Sequence, residues 1–192
     1  MFDYFSVLIS VIFGLALTHL LRGLARLIQL RDEARPYWVH ILWTINVVLF
    51  VLAIWWGMYW WKGLAVWTAE WFFFIALYSV LIFLWAYLLY PAEFEGHLDF
   101  DGYFHGNRRW FFGLQVLVCL ADIPETLYKG TLGLRAVPAA YPYVMSGFLL
   151  VGVIGFFTSN RRVHSLLPVA WCALFTGYLF FSSLERIARH FG

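Results

Sequence analysis

Charged side chains are scarce in this sequence. Asp, Glu, Lys and Arg make up 12% of its 192 residues, about half of their share in soluble domains. The formal net charge is only +2 and no basic run accompanies it, which argues against a nucleic-acid partner. Hydrophobic residues instead make up 63% of the chain. A soluble fold of this size cannot bury so many apolar side chains, so we expect a lipid bilayer around the protein.

Cysteine and catalytic motifs are also lacking. The two cysteines, Cys119 and Cys172, both lie inside apolar segments, where they are expected to pack as small hydrophobic residues. The sequence has no nucleophile with its base, no zinc-binding HExxH and no glycine-rich phosphate loop. An enzyme is therefore a disfavoured class, and we expect neither a cofactor nor a metal.

Long apolar runs are abundant. Crossing a hydrocarbon core of about 30 Å takes roughly 20 helical residues, and six runs of suitable length are bounded by charge, proline or glycine. They cover 2–24, 37–61, 67–90, 110–128, 141–158 and 163–187. We predict an all-α, polytopic integral membrane protein, with about six transmembrane helices in one domain. The fourth run is the least regular, because Asp122, Pro124 and Glu125 interrupt its last third.

The orientation follows from the cations that flank the spans. The first residues lack the cationic region of a signal peptide, so we expect the first span to be retained. Cytoplasmic loops are rich in Lys and Arg, and eight of the 13 fall on one side, which favours both termini outside. The compact chain and its lack of targeting signals favour a bacterial inner membrane. The inner eight are Arg22, Arg26, Arg31, Arg35, Arg108, Arg109, Arg161 and Arg162, and the outer five are Lys62, Lys129, Arg135, Arg186 and Arg189.

The connection between the third and fourth spans has its own pattern. Polar side chains alternate with apolar ones from Glu93 to Asp101. With Asp101-Gly102 as a tight turn, this alternation predicts a short amphipathic inner loop, folded as a small hairpin. Its polar face has enough donor atoms for a divalent ion, but it lacks a known ligand spacing. We therefore favour an ordinary amphipathic surface.

The first span carries a ridge of small and hydroxylated residues at intervals of four, formed by Ser6, Ser10, Gly14 and Thr18. Such a ridge lets a neighbouring helix approach closely, and helix packing is the interpretation we prefer. The alternative is a polar path that ends at His19 and Arg22. Packing contacts within one chain or between subunits are also predicted for the small residues Gly152, Gly155, Ala173 and Gly177.

The fourth span carries two carboxylates. Asp122 and Glu125 are three residues apart and share one side of a helix, with Gln115 two turns earlier on nearly the same face. Glu185 is expected at the same depth, near the outer end of the sixth span. Two hypotheses stand about even: these groups pair with cations and fix helix register, or they form a site for a cation or proton.

Three histidines, His19, His40 and His164, are expected toward the inner ends of the first, second and sixth spans. Facing histidines on different helices can hold haem. We prefer histidines that bond to carbonyl groups, because no haem motif is present.

Three functional hypotheses follow. The first is a small channel, transporter or proton- or cation-conducting protein that uses the carboxylate cluster. The second is a non-catalytic accessory subunit, in a homo-oligomer or a larger membrane complex. A membrane-embedded enzyme or haem carrier comes last, for want of a motif.

Overall fold

The protein is a bundle of α-helices. The computed structural model describes residues 1–29, 37–91 and 99–191, of which 186 and 188–191 by their backbone only. These described residues are 86% helical and contain no strand. The helices are α1 (Phe2–Gln29), α2 (Trp38–Met58), α3 (Ala69–Tyr87), α4 (Phe100–Thr131), α5 (Tyr141–Phe157) and α6 (Arg161–Phe191), and a 3₁₀ helix, Tyr59–Gly63, extends α2.

Five of the helices are long and apolar enough to cross a membrane, and α5 is a shorter apolar helix. With its 17 residues, α5 is about 25 Å long, which is the lower limit for a transmembrane helix. The predicted all-α membrane bundle is confirmed.

Helix α4 departs most from its predicted span, 110–128. It begins at Phe100 and continues past Pro124 to Thr131, over 32 residues. Hydropathy marks only the apolar part of a helix, so it missed the first ten residues, which are rich in polar side chains. Asp101 and Gly102 lie in the first turn of α4, so the tight turn expected at them does not form. The rest of the predicted hairpin, 92–98, lies outside the described residues.

The helices alternate in direction, so that the bundle has two distinct ends. Phe5, near the start of α1, packs on Trp67 in the loop before α3, with ring centroids 4.9 Å apart. Glu185, late in α6, accepts a hydrogen bond from the backbone of Ala139 in the loop before α5. We call this end, which holds both termini, the termini face. The other end, where His19 stacks on Tyr87, is the opposite face.

The middle of the bundle is filled by aromatic side chains. Trp43 packs edge to face on Phe111 and Phe112, with centroids 5.1 and 5.5 Å apart. Trp171 contacts Phe50 and Trp85 at 5.6 and 6.2 Å. All six rings are buried. We call them the aromatic layer, and they separate the polar groups near the two faces.

Two glycines allow α5 to approach α4 closely. A Cβ atom at Gly155 would lie 2.5 Å from the Phe112 ring, and one at Gly152 would lie 2.7 Å from Val116. These distances are far below van der Waals contact, so both positions require a residue without a side chain. Gly152 and Gly155 were predicted to make packing contacts within one chain or between subunits. The contacts seen are within the chain, between α4 and α5.

The ridge on α1 lies largely on the exposed side of the helix, and Ser10 accepts a hydrogen bond from the Trp55 indole of α2 at 3.2 Å. Ser10, Gly14 and Thr18 are exposed, and nothing lies within 4 Å of a Cβ atom built at Gly14. Phe5, Ile9, Phe13, Ala16 and Leu20 form the buried face instead, because large side chains bury more apolar surface than small ones. Ser6 is half-buried and bonds to the backbone of Asp3. On α6, Ala173 is exposed and Gly177 also has an open Cβ position, so neither packs tightly against another of the described helices.

Candidate functional site

A cluster of buried polar groups lies in the half of the bundle near the termini face. At its centre the carboxylate of Asp122, on α4, accepts a hydrogen bond from the Tyr78 hydroxyl of α3 at 2.8 Å. Its second oxygen accepts one from Tyr141 of α5 at 2.8 Å and a longer one from Thr126 at 3.4 Å. Asp122 is 5% exposed. Within the described part of the chain, its hydrogen-bond partners are all hydroxyl groups, and no Lys or Arg pairs with it.

The second carboxylate has a cationic partner. Glu125 forms an ion pair with Lys129, one helical turn further along α4. It also accepts a hydrogen bond from the Trp61 indole at 2.9 Å. Lys129 donates in turn to the carbonyl of Gly57 at 2.9 Å, and its ammonium lies 5.2 Å from the Trp61 ring. The ion pair is thus hydrogen-bonded to α2 and to the 3₁₀ helix that extends it. Its two opposite charges cancel.

The cluster opens into a cleft of about 380 Å³ between α2, α4, α5 and α6. This volume is in the range of roughly 300–1,000 Å³ that is typical of small-molecule sites. Asp122, Glu125, Lys129 and Arg135 are the charged residues among those that line it. Arg135 belongs to the loop on the termini face and lies near Tyr178 of α6, which also lines the cleft. Seven aromatic side chains line the walls: Phe50, Trp56, Trp60, Tyr141, Phe148, Phe175 and Tyr178.

The structure brings Asp122 and Glu125 together but places other candidate residues elsewhere. Gln115 is buried between α4 and α5, where its amide donates to the carbonyl of Phe148 at 3.2 Å. Glu185 binds the backbone of Ala139 on the termini face and is not among the residues that line the cleft. Arg22 is exposed on the outside of α1.

The histidines near the opposite face bond to backbone carbonyl groups, as preferred over haem ligation. His19 and His164 contact the carbonyl oxygens of Tyr87 and Thr158 at 3.1 and 3.0 Å. His40 makes a close contact of the same kind with Leu89. Each contact links a histidine to a carbonyl group at or just beyond the end of a helix. It also occupies one nitrogen of the imidazole ring. Among the described residues, no three His, Cys, Asp or Glu side chains are grouped to hold a metal ion.

Other polar groups tie helices together at the opposite face. Asp101, in the first turn of α4, pairs with Arg161 at the start of α6 and contacts His105 at 3.3 Å. Tyr90, which follows α3, forms a hydrogen bond with Thr44 at 3.0 Å. Burial raises the pKa of Tyr90 to about 12. These contacts position the helix ends at the opposite face.

The residues that hold the two carboxylates in place were not predicted from the sequence. Tyr78, Tyr141 and Trp61 each come from a different part of the chain, at separations of 19 to 64 residues. Nothing in the local pattern separates them from the many other aromatic residues. The spacing of Glu125 and Lys129 was a usable signal, because residues four apart are neighbours on a helix.

Fold and site together define an all-α helical membrane bundle with a buried polar cluster. In comparisons with protein-family models, with curated proteins and with solved structures, no match to this chain was found.

Proposed function

We propose that this protein is a membrane transport protein that binds a proton or another cation at Asp122. The observation that carries the proposal is the environment of this carboxylate, which is buried, lines a cleft and has only hydroxyl partners. Glu125 is paired with Lys129, so Asp122 is the cleft carboxylate that has no ion-pair partner among the described residues. A charge inside a membrane is costly unless it is compensated. A bound cation or proton would compensate it.

The aromatic layer favours a transporter over an open channel. Along α4, Phe111 and Phe112 lie between His105 near the opposite face and Asp122 near the termini face. Both rings are buried and packed on Trp43, so the aromatic layer lies between a cation at Asp122 and the opposite face. Passage would require a second conformation, as in alternating access.

The orientation proposed from the sequence gains support from the ion pair. Lys129 is buried against Glu125 and does not act as a free loop cation. The outer count of Lys and Arg thus falls from five to four, against eight on the inner side. We accordingly propose that both termini lie outside, in a bacterial inner membrane.

Flux measurements in proteoliposomes test the proposal. A trapped pH dye would report proton movement, and separate dyes would report Na⁺ and K⁺, under an imposed gradient. We expect the wild-type protein to carry one of these cations and Asp122→Asn to lose the flux, because the amide has a similar shape but no charge. Glu70→Gln is the control, since Glu70 is fully exposed at the start of α3. Absence of flux in the wild type for all three cations, and for an organic cation measured in the same way, would overturn the proposal.

An accessory subunit of a larger complex is the second candidate. It is favoured by the exposed ridge of α1, where Gly14 has open space around it and small residues suit contact with another helix. Native gel electrophoresis of mild detergent extracts tests it. Migration as a free monomer would argue against this candidate and leave the transport proposal standing.

A further inference from the structure

The cleft opens sideways, toward the part of the surface that faces lipid. On α2, Leu52 is 42% exposed and Trp56 is 70% exposed, while Leu179 on α6 is 43% exposed. All three line the cleft. In a membrane, exposed apolar side chains such as Leu52 and Leu179 contact acyl chains, so the mouth between α2 and α6 adjoins the hydrocarbon core. Trp56, near the end of α2, lies closer to the interface.

A cation that entered the cleft from the water at the termini face would pass a positively charged side chain. Arg135 lies on that face and lines the cleft beside Tyr178. A cation that approached from this side would meet the guanidinium group before it reached Asp122, and like charges repel. On the side between α2 and α6, a cation that came from the lipid would first meet Leu52, Trp56 and Leu179, which are apolar or aromatic.

The walls suit a particular type of cation. Seven of the side chains that line the cleft are aromatic, and the face of an aromatic ring attracts organic cations. Apart from the oxygen atoms grouped around Asp122 and Glu125, the cleft is lined mainly by apolar and aromatic side chains, so a small inorganic ion would lose its hydration shell on the way to the carboxylate without replacement. A cation with an apolar body would keep favourable contacts throughout, and the cleft volume of about 380 Å³ is large enough for a small drug-like molecule.

We propose that the cleft binds lipophilic organic cations, which enter from the bilayer between α2 and α6 and place their charge beside Asp122. This inference rests on the proposed function, because it takes Asp122 as the cation site and names the class of substrate. Arg135 then helps to exclude small hydrated cations from the water side.

Equilibrium binding to the full chain in nanodiscs of zwitterionic lipid tests this inference. The probes are radiolabelled tetraphenylphosphonium and tetraphenylborate, which have nearly the same size and opposite charge. Empty nanodiscs give the background from partition into lipid. We expect saturable binding of tetraphenylphosphonium alone. Asp122→Asn should weaken it by about 30-fold or more, because an attractive charge is lost in a desolvated site. Trp60→Leu should weaken it by about fivefold through the loss of one aromatic wall.

The control variant is again Glu70→Gln, which lies outside the cleft and should bind as the wild type does. The comparison of the two probes uses the wild-type protein alone, so it remains decisive if Asp122→Asn fails to fold. Equal binding of both probes, or no saturable binding of either, would overturn the inference. Cation flux that needs Asp122 but occurs without tetraphenylphosphonium binding would overturn the inference and leave the proposed function intact.

Discussion

Replacement of Lys129 by methionine would leave Glu125 buried without its cation. The thioether side chain has nearly the same length, so packing changes little while the ammonium group is removed. Glu125 would retain the Trp61 indole as a donor, and the carbonyl of Gly57 would lose the donor it has now. Removal of one partner from a buried ion pair costs about 3–5 kcal/mol. Since both side chains are at most 5% exposed, we expect a loss of this size in the free energy of unfolding.

Titration of the protein in mixed micelles with SDS, followed by tryptophan fluorescence and circular dichroism, would measure this loss. The double variant Lys129→Met with Glu125→Gln removes both charges and should be more stable than Lys129→Met by about 2 kcal/mol. Lys62→Met is the matched control, because Lys62 is exposed on the 3₁₀ helix that extends α2.

Two results would refute the reasoning. One is a Lys129→Met variant that unfolds at the same SDS fraction as Lys62→Met. The other is additivity, in which the double variant loses the sum of the two single losses. Either result would mean that Glu125 and Lys129 are not coupled in the folded protein. Asp122 could then no longer be distinguished from Glu125 as the carboxylate without a cationic partner.

Three further predictions use the same unfolding assay. Gly155→Ala should destabilise the protein by about 1–3 kcal/mol, because its methyl group overlaps a ring of α4, whereas Gly14→Ala should have little effect. Tyr141→Phe should cost about 1.5–3 kcal/mol, since it removes a hydroxyl donor to a charged group; a cost like that of an exposed Tyr→Phe change would contradict this. The neutral form of Tyr90 is favoured in the folded state, so its stabilising effect is complete below about pH 10 and is lost as the pH rises to about 12. Tyr90→Phe should therefore reduce the fall in stability between these pH values, and an unchanged slope would count against it.

The membrane bundle could be predicted from the sequence because the apolar runs are long and continuous. The bounds of α5 were predicted within one residue. A turn precedes Tyr141, and Thr158 is followed closely by Arg161 and Arg162 at the start of α6. The first ten residues of α4 were not predicted as helix. They are rich in polar side chains and glycine, and a search for long apolar runs does not detect a polar helix outside the hydrocarbon core.

The site was predicted in part. The carboxylates stood out because charge is rare in apolar segments, and this rarity marks a position whatever the fold. The ridge on α1 shows the limit of such arguments. Regular spacing identifies residues that share a face, but it does not say whether that face meets another helix or lipid. Phe5 and Phe13 form the buried face instead, because they fill the space between α1 and its neighbours.

The aromatic layer has an electrical consequence. An indole or phenyl ring cannot replace the water around an ion, so a wall of packed rings insulates the two sides of the bilayer from each other. If the protein transports a cation as proposed, it could be abundant at rest without discharging the membrane potential. Each crossing event would then wait for rings and helices to rearrange, a motion of microseconds to milliseconds. Turnover would then be limited by this rearrangement, far below the throughput of an open pore.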